Sequence, residues 1–150
     1  MDKVHVDSLR GYLEKARAKL RVARDLVERG DWDDSVSRAY YAAFHAAQAA
    51  ILCEGGRADT HQDVLTLFGL LLVKTGKIER QWGRALTNLK DDRETGDYDA
   101  LSWIDEETAR HALAEAEGFV RAVGEYVARQ MGQIEDADPN RHMNEIERDG

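Results

Sequence analysis

This chain has one proline, one cysteine and no long apolar run, and each shortage excludes a class of protein. A single proline, Pro139, argues against a turn-rich β architecture, where proline and glycine punctuate the connections. A single cysteine cannot form an internal disulfide; Cys53 ends the apolar run Ala49-Ala50-Ile51-Leu52-Cys53 and reads as a small buried hydrophobe. No stretch approaches the roughly 18 apolar residues that cross a bilayer, and the N-terminus lacks the hydrophobic segment of a signal peptide. A cytoplasmic protein without membrane contact is therefore expected. Positive charge is also in deficit: a net charge of −8 opposes non-specific binding to nucleic acid, so any RNA contact needs a local basic patch. A glycine-rich phosphate loop, His-Glu-x-x-His, Cys-x-x-Cys and a nucleophile elbow are all missing. His5, His111 and His142 show no metal-ligand spacing, and neither a metal site nor a cofactor is expected.

What is present is helical. Residues that are 43% hydrophobic and 33% charged, with almost no proline, describe apolar stripes on solvated helices, and 150 residues fill one ordinary domain. The spacing predicts an all-α antiparallel bundle of about five helices in one domain over residues 1–131. Leu9, Leu13, Ala16, Leu20, Ala23 and Val27 line one face of a first helix over 7–29, ended by Gly30. Arg10, Arg17, Arg21 and Arg24 form a basic flank on it, explained by pairing with Glu14, Asp25 and Glu28. Asp31 can cap a second, alanine-rich helix to about Glu54, whose small residues let neighbours approach closely and make it the central helix. Thr60 with Asp63 marks the start of a third helix. It is apolar nearly all round from Val64 to Val73, and the surplus face suggests a dimer interface. Ile78, Trp82, Leu86 and Leu89 predict a fourth helix ending near Gly96, and Arg93 takes the next position of that stripe. Asp105 caps a fifth, carrying Ala109, Ala112, Ala116, Phe119, Val123 and Val127. From Gly132 to Gly150 the periodicity stops, and an acidic disordered tail is expected.

Few groups bear chemistry. Ser37, Tyr41 and His45 recur every four residues, which puts a hydroxyl, a phenol and an imidazole on one helical face. They either satisfy one another and their neighbours as buried polar groups must, or line a small polar pocket. Arg93 ends an apolar stripe, where a guanidinium must snorkel outward or meet an anion. Asp97 can lock it, so a structural pair and a phosphate site both remain open. His61 follows the Thr60 cap, at a helix start whose amides can receive an anion or where a histidine is simply on the surface.

The segments Ser37-Arg38-Ala39-Tyr40-Tyr41-Ala42-Ala43-Phe44-His45-Ala46-Ala47, Thr60-His61, Phe68 with Val73-Lys74-Thr75-Gly76, and Arg93-Glu94-Thr95-Gly96-Asp97-Tyr98 resemble the HEPN domain family. The likeness spans about residues 7–131 and is to the prokaryotic branch commonly encoded beside minimal nucleotidyltransferases. It implies an up-and-down helical bundle that usually dimerises, with a role in binding nucleotide or RNA. Many HEPN proteins are metal-independent ribonuclease toxins in which an arginine is followed, four to six residues on, by a histidine. Arg93 matches the arginine; no histidine follows in that window, and the residue five positions on is Tyr98. Histidine exchanges protons near neutral pH and tyrosine does so poorly, so the ribonuclease motif is incomplete.

The resemblance therefore implies a homodimeric module of little or no catalytic power, acting with a nucleotidyltransferase in a toxin–antitoxin-like pair. Arg93 holds phosphate, Asp97 orients it, and Tyr41, His45, Tyr98, Ser37 and His61 line the site; Tyr98 is also a hydroxyl that a companion enzyme could modify. The alternatives are an active ribonuclease toxin using His45 or His61 for acid–base work, and a purely structural dimeric interaction subunit.

Overall fold

The computed structural model describes residues 3–98 and 103–136, and their regular structure is entirely helical. In chain order these are α1 (Lys3–Glu28), α2 (Trp32–Cys53), α3 (His61–Phe68) continued by a π-helical stretch (Gly69–Val73), α4 (Arg80–Tyr98) and α5 (Glu106–Asp136). Gly30, at φ 80°, turns the chain between α1 and α2, a conformation that only a residue without Cβ adopts cheaply. The Thr60 hydroxyl accepts the Asp63 N–H at 3.1 Å, and the Asp105 carboxylate accepts the Thr108 N–H at 2.8 Å, so both expected caps form. Asp31 precedes α2 without a side-chain cap bond.

α2 is the centre of the bundle. Ala39, Ala42, Ala43, Ala46, Ala47, Ala49 and Ala50 have no exposed surface, because α1, α4 and α5 all pack on this helix. Small side chains let the three neighbours close in on different sides. The stripes of α1 and α5 are buried as their spacing requires. The Ser35 hydroxyl donates to the Ala23 carbonyl at 2.8 Å and ties α2 to α1. α4 runs antiparallel to α2: Arg93 lies over Tyr40 and Tyr41, while Gly96 approaches Asp33.

Several details differ from the sequence expectation. The third helix does not stay regular: the Lys74 N–H reaches the Gly69 carbonyl at 2.8 Å, widening the last turn. Its apolar surplus is mostly used, with Val64, Phe68 and Leu72 buried and Leu70 alone of that run clearly exposed, at 49%. One arginine of the basic flank of α1 pairs across the bundle, Arg24 meeting Glu117 on α5 at 3.0 Å, and Glu28 of α1 meets Arg110 of α5 at 3.3 Å. α5 runs through Asp136, so the first residues of the expected tail, Gly132–Asp136, are helical; residues 137–150 lie outside those described. Cys53 is half-buried, and burial pushes its thiol up to about 12, which suits an inert packing residue.

Gly11 and Gly124 sit inside α1 and α5 with open space where a Cβ would stand. Gly11→Ala and Gly124→Ala should each stabilise the protein by about 0.5–1 kcal/mol through reduced backbone entropy in the unfolded chain. The double variant should melt roughly 2–6 °C higher in calorimetry.

Candidate functional site

The apolar stripe of α4 leads from Ile78 through Leu86 and Leu89 directly to Arg93, so burial of the stripe carries the guanidinium inward with it. Its side chain is only 11% exposed. The guanidinium carbon lies 5.4 Å from the Tyr40 ring centroid and 5.2 Å from that of Tyr41, within cation–π range of both faces. Arg93 Nε donates to Asp97 Oδ2 at 3.2 Å, one turn further along the same helix. The expected helix end at Gly96 is thus overrun, and Asp97 pairs from inside α4.

Tyr40 is fully buried, and its hydroxyl lies 2.8 Å from His61 Nδ1. Burial pushes this phenol up to about 12, against the opposing pull of Arg93, so it keeps its proton and can donate to, or accept from, the His61 ring. The direction of this bond and the tautomer are linked: when Nδ1 accepts, the neutral imidazole carries its proton on Nε2. Burial, then the nearby Arg93 and Lys90, hold the His61 pKa below its ordinary value. The ring stands 4.9 Å from Phe44 and 5.8 Å from Tyr41, centroid to centroid. Arg93, Asp97, Tyr40, Tyr41 and His61 therefore make one cluster from α2, α3 and α4, with a cation, an imidazole and two phenols converging beside an exposed carboxylate.

The other expected members stand apart or differ in role. His45, one turn beyond Tyr41, has its Nδ1 3.0 Å from Gln48 Oε1, and Gln48 in turn donates to the Ala58 carbonyl at 3.0 Å. The His45 ring also lies 6.4 Å from Tyr41 and 5.6 Å from Phe44, centroid to centroid, so it adjoins the cluster through Tyr41. Ser37 is half-buried one turn before Tyr41. Tyr98 is the last residue of α4, and its side chain lies outside the described residues. Tyr40 was not among the expected site residues, although it links the imidazole to the cation. The doublet Tyr40-Tyr41 was the available signal, since neighbours on a helix lie about 100° apart and together can flank one incoming side chain.

A cavity of about 560 Å³ lies elsewhere, between α1 and the end of α2, and is lined by His5, Ser8, Tyr12, Gln48, Cys53 and Arg57 among others. One lining amide, Gln48, is spent on His45 and Ala58, whereas the Arg93 cluster brings a held cation next to a titratable ring, which makes the cluster the candidate site. Among the described residues no group of three or more histidine, cysteine, aspartate or glutamate side chains could hold a metal ion, and no helix is long and apolar enough to cross a membrane.

Both clustered histidines favour the neutral form when folded, because burial lowers the pKa of His45 as well as that of His61. The unfolded chain binds these protons near the ordinary histidine pKa and the folded chain only at lower pH. Stability is therefore fully present above about pH 6.5 and is lost as pH falls below it. The melting temperature should drop between about pH 7.5 and about pH 5.5, and His45→Ala should flatten part of that slope in a melting series.

An all-helical bundle with an arginine held over paired tyrosines beside a cap-adjacent histidine defines a class, and sequence comparison supplies its name. Residues 9–126 match the HEPN domain, and the chain belongs to that family. A UPF0332 protein of Thermotoga maritima is 34% identical over 109 residues, covering 73% of this chain and 83% of its own length. A protein of Methanocaldococcus jannaschii, named only as a candidate toxin, is 36% identical over 114 residues, covering 76% and 84%. The crystal structure of TT1696 from Thermus thermophilus shares the fold, with a TM-score of 0.67 at 24% identity over 79% of this chain and 97% of that one.

Proposed function

We propose that this protein is a HEPN module that grips a phosphate of RNA or of a nucleotide with Arg93, and that it is the toxin-like member of a pair whose other member is a minimal nucleotidyltransferase. It works as a homodimer. The observation that carries this reading is the near-buried guanidinium, stacked on Tyr40 and Tyr41 and ion-paired with Asp97. A guanidinium fixed in one plane presents its donors in the geometry that a phosphate accepts, with little entropy left to lose on binding. The Asp97 carboxylate is one-third exposed and can yield to, or share the cation with, an incoming anion. The relative named as a candidate toxin supports the toxin half, and the likeness to a branch encoded beside nucleotidyltransferases supports the partner.

Calorimetric titration with short RNAs and with nucleotides tests the binding. Micromolar-range heat that disappears in high salt is expected; no heat with any of them would leave a structural interaction subunit instead. Co-purification with the product of an adjacent nucleotidyltransferase reading frame tests the partner.

One observation favours a second reading, metal-independent RNA cleavage: His61, an imidazole whose pKa is held below the ordinary value by burial and by Arg93, shares the cluster with that cation. There His61 would exchange the proton while Arg93 met the charge developing on phosphorus. Cleavage of RNA in excess chelator, lost in His61→Ala and kept in His45→Ala, would establish it.

A further inference from the structure

Trp103 is 82% exposed, the most exposed large hydrophobic side chain among the described residues. An indole left in water forgoes one of the largest apolar burials available to any residue, so its placement calls for a reason. Nor does it hang on a loose strand. The next residue, Ile104, is buried, and its backbone N–H donates to Asp33 Oδ1 at 2.9 Å. The residue after that, Asp105, caps α5. Trp103 is thus followed directly by two anchored residues.

The anchor lies next to the Arg93 cluster. Gly96, one turn beyond Arg93 on α4, faces Ile104 so closely that a Cβ there would stand 3.2 Å from Ile104 Cγ1 and 3.6 Å from Asp33 Oδ1. The order along the α2–α4 seam is therefore Trp103 with Ile104 at Asp33 and Gly96, then Arg93 over Tyr40 and Tyr41, then His61. An exposed aromatic ring and a cation placed along one seam are the two parts that single-stranded nucleic-acid sites combine. Asp33 is already engaged by Ile104 and Asp97 by Arg93, which lessens their repulsion of a phosphate chain.

Building on the phosphate-binding reading above, we propose that Trp103 is a stacking platform for a base of single-stranded RNA whose backbone phosphate sits on Arg93. The ligand class narrows accordingly to an unpaired strand, since an indole takes the face of a base only when that base is unstacked. The platform tolerates any base, and the cation supplies register.

The test uses the full chain, a single-stranded oligoadenylate of about six nucleotides and an abasic ribose-phosphate chain of equal length. Trp103→Ala should weaken oligoadenylate binding about tenfold or more and leave the abasic chain unchanged, while Trp103→Phe retains part of the affinity. Oligoadenylate should also quench the emission of the exposed indole, a signal absent from Trp103→Ala; Trp32 and Trp82 are half-buried and should respond little. Equal oligoadenylate affinity in wild type and Trp103→Ala, with loss in Arg93→Ala, would overturn the platform and leave the phosphate site standing. Loss of self-association in Trp103→Ala without a change in RNA affinity would make the indole a protein contact and overturn it too. A wild-type protein that binds neither chain overturns the phosphate reading itself.

Discussion

Arg93→Ala is expected to weaken binding of short single-stranded RNA by roughly thirtyfold to a hundredfold and to abolish any growth arrest that the wild-type protein causes. A charge-assisted hydrogen bond to phosphate contributes about 1.5–3 kcal/mol, and this guanidinium is preorganised by two ring faces and one carboxylate. Arg93→Lys keeps the charge but loses the planar fork and the close stacking on Tyr40 and Tyr41, so its affinity should fall between the two. A second readout separates loss of a ligand contact from loss of the fold. Arg93 is one of the charges that lower the His61 pKa, so Arg93→Ala should raise it, visible as a shifted titration of the imidazole carbon-bound proton in NMR. An unshifted His61 titration would mean that the imidazole and the guanidinium do not share one site. Tyr40→Phe offers an independent check on the same cluster: it removes the hydrogen bond to His61 Nδ1 and frees the choice of tautomer, while keeping the buried ring.

Much of this was legible before any coordinates, for reasons that differ by element. The stripes of α1 and α5 state their helical period openly because each helix buries one face, and the caps at Thr60 and Asp105 are local devices readable from a few residues. Arg93 could be singled out because it stands where the α4 stripe demands an apolar residue. Its ring partners could not, since Tyr40 and Tyr41 meet it only once α2 and α4 pack antiparallel. The Tyr40–His61 bond joins α2 to α3 across a 21-residue separation that no periodicity reports. His45 keeps the ring contact with Tyr41 that a shared helical face implies, while its bond to Gln48, which in turn donates to Ala58, depends on the loop after α2 and was not readable from the period. The cross-bundle pairs Arg24–Glu117 and Arg110–Glu28 were hidden likewise, because partners on the same helix were available to satisfy the count. Patterns along one element predict burial well; which polar groups meet is decided by packing between elements.

That dependence on packing gives the largest stability effect. Phe119→Ala should cost about 3–5 kcal/mol and lower the melting temperature by roughly 10–20 °C. Phe119 has no exposed surface; its ring centroid is 5.3 Å from that of Phe68 at the end of α3 and 6.4 Å from that of Trp82 on α4. Removing it empties a site that three helices share, and rigid neighbours close such a gap only in part. Phe119→Leu, which refills most of the volume, should recover more than half of the loss. The damage should not be uniform. α3 is short, its last turn is widened to π geometry, and Phe68 is one of only two of its residues that are fully buried. Losing the ring that Phe68 packs against should loosen α3 ahead of α2 and α5, with amide exchange rising first over His61–Phe68. Because His61 rides on that helix, RNA affinity or cleavage should fall at temperatures where the bundle is still folded. Uniform loss of protection across all five helices would show instead that α3 is held by its α2 contacts alone, and that the imidazole keeps its place without the aromatic pair beneath it.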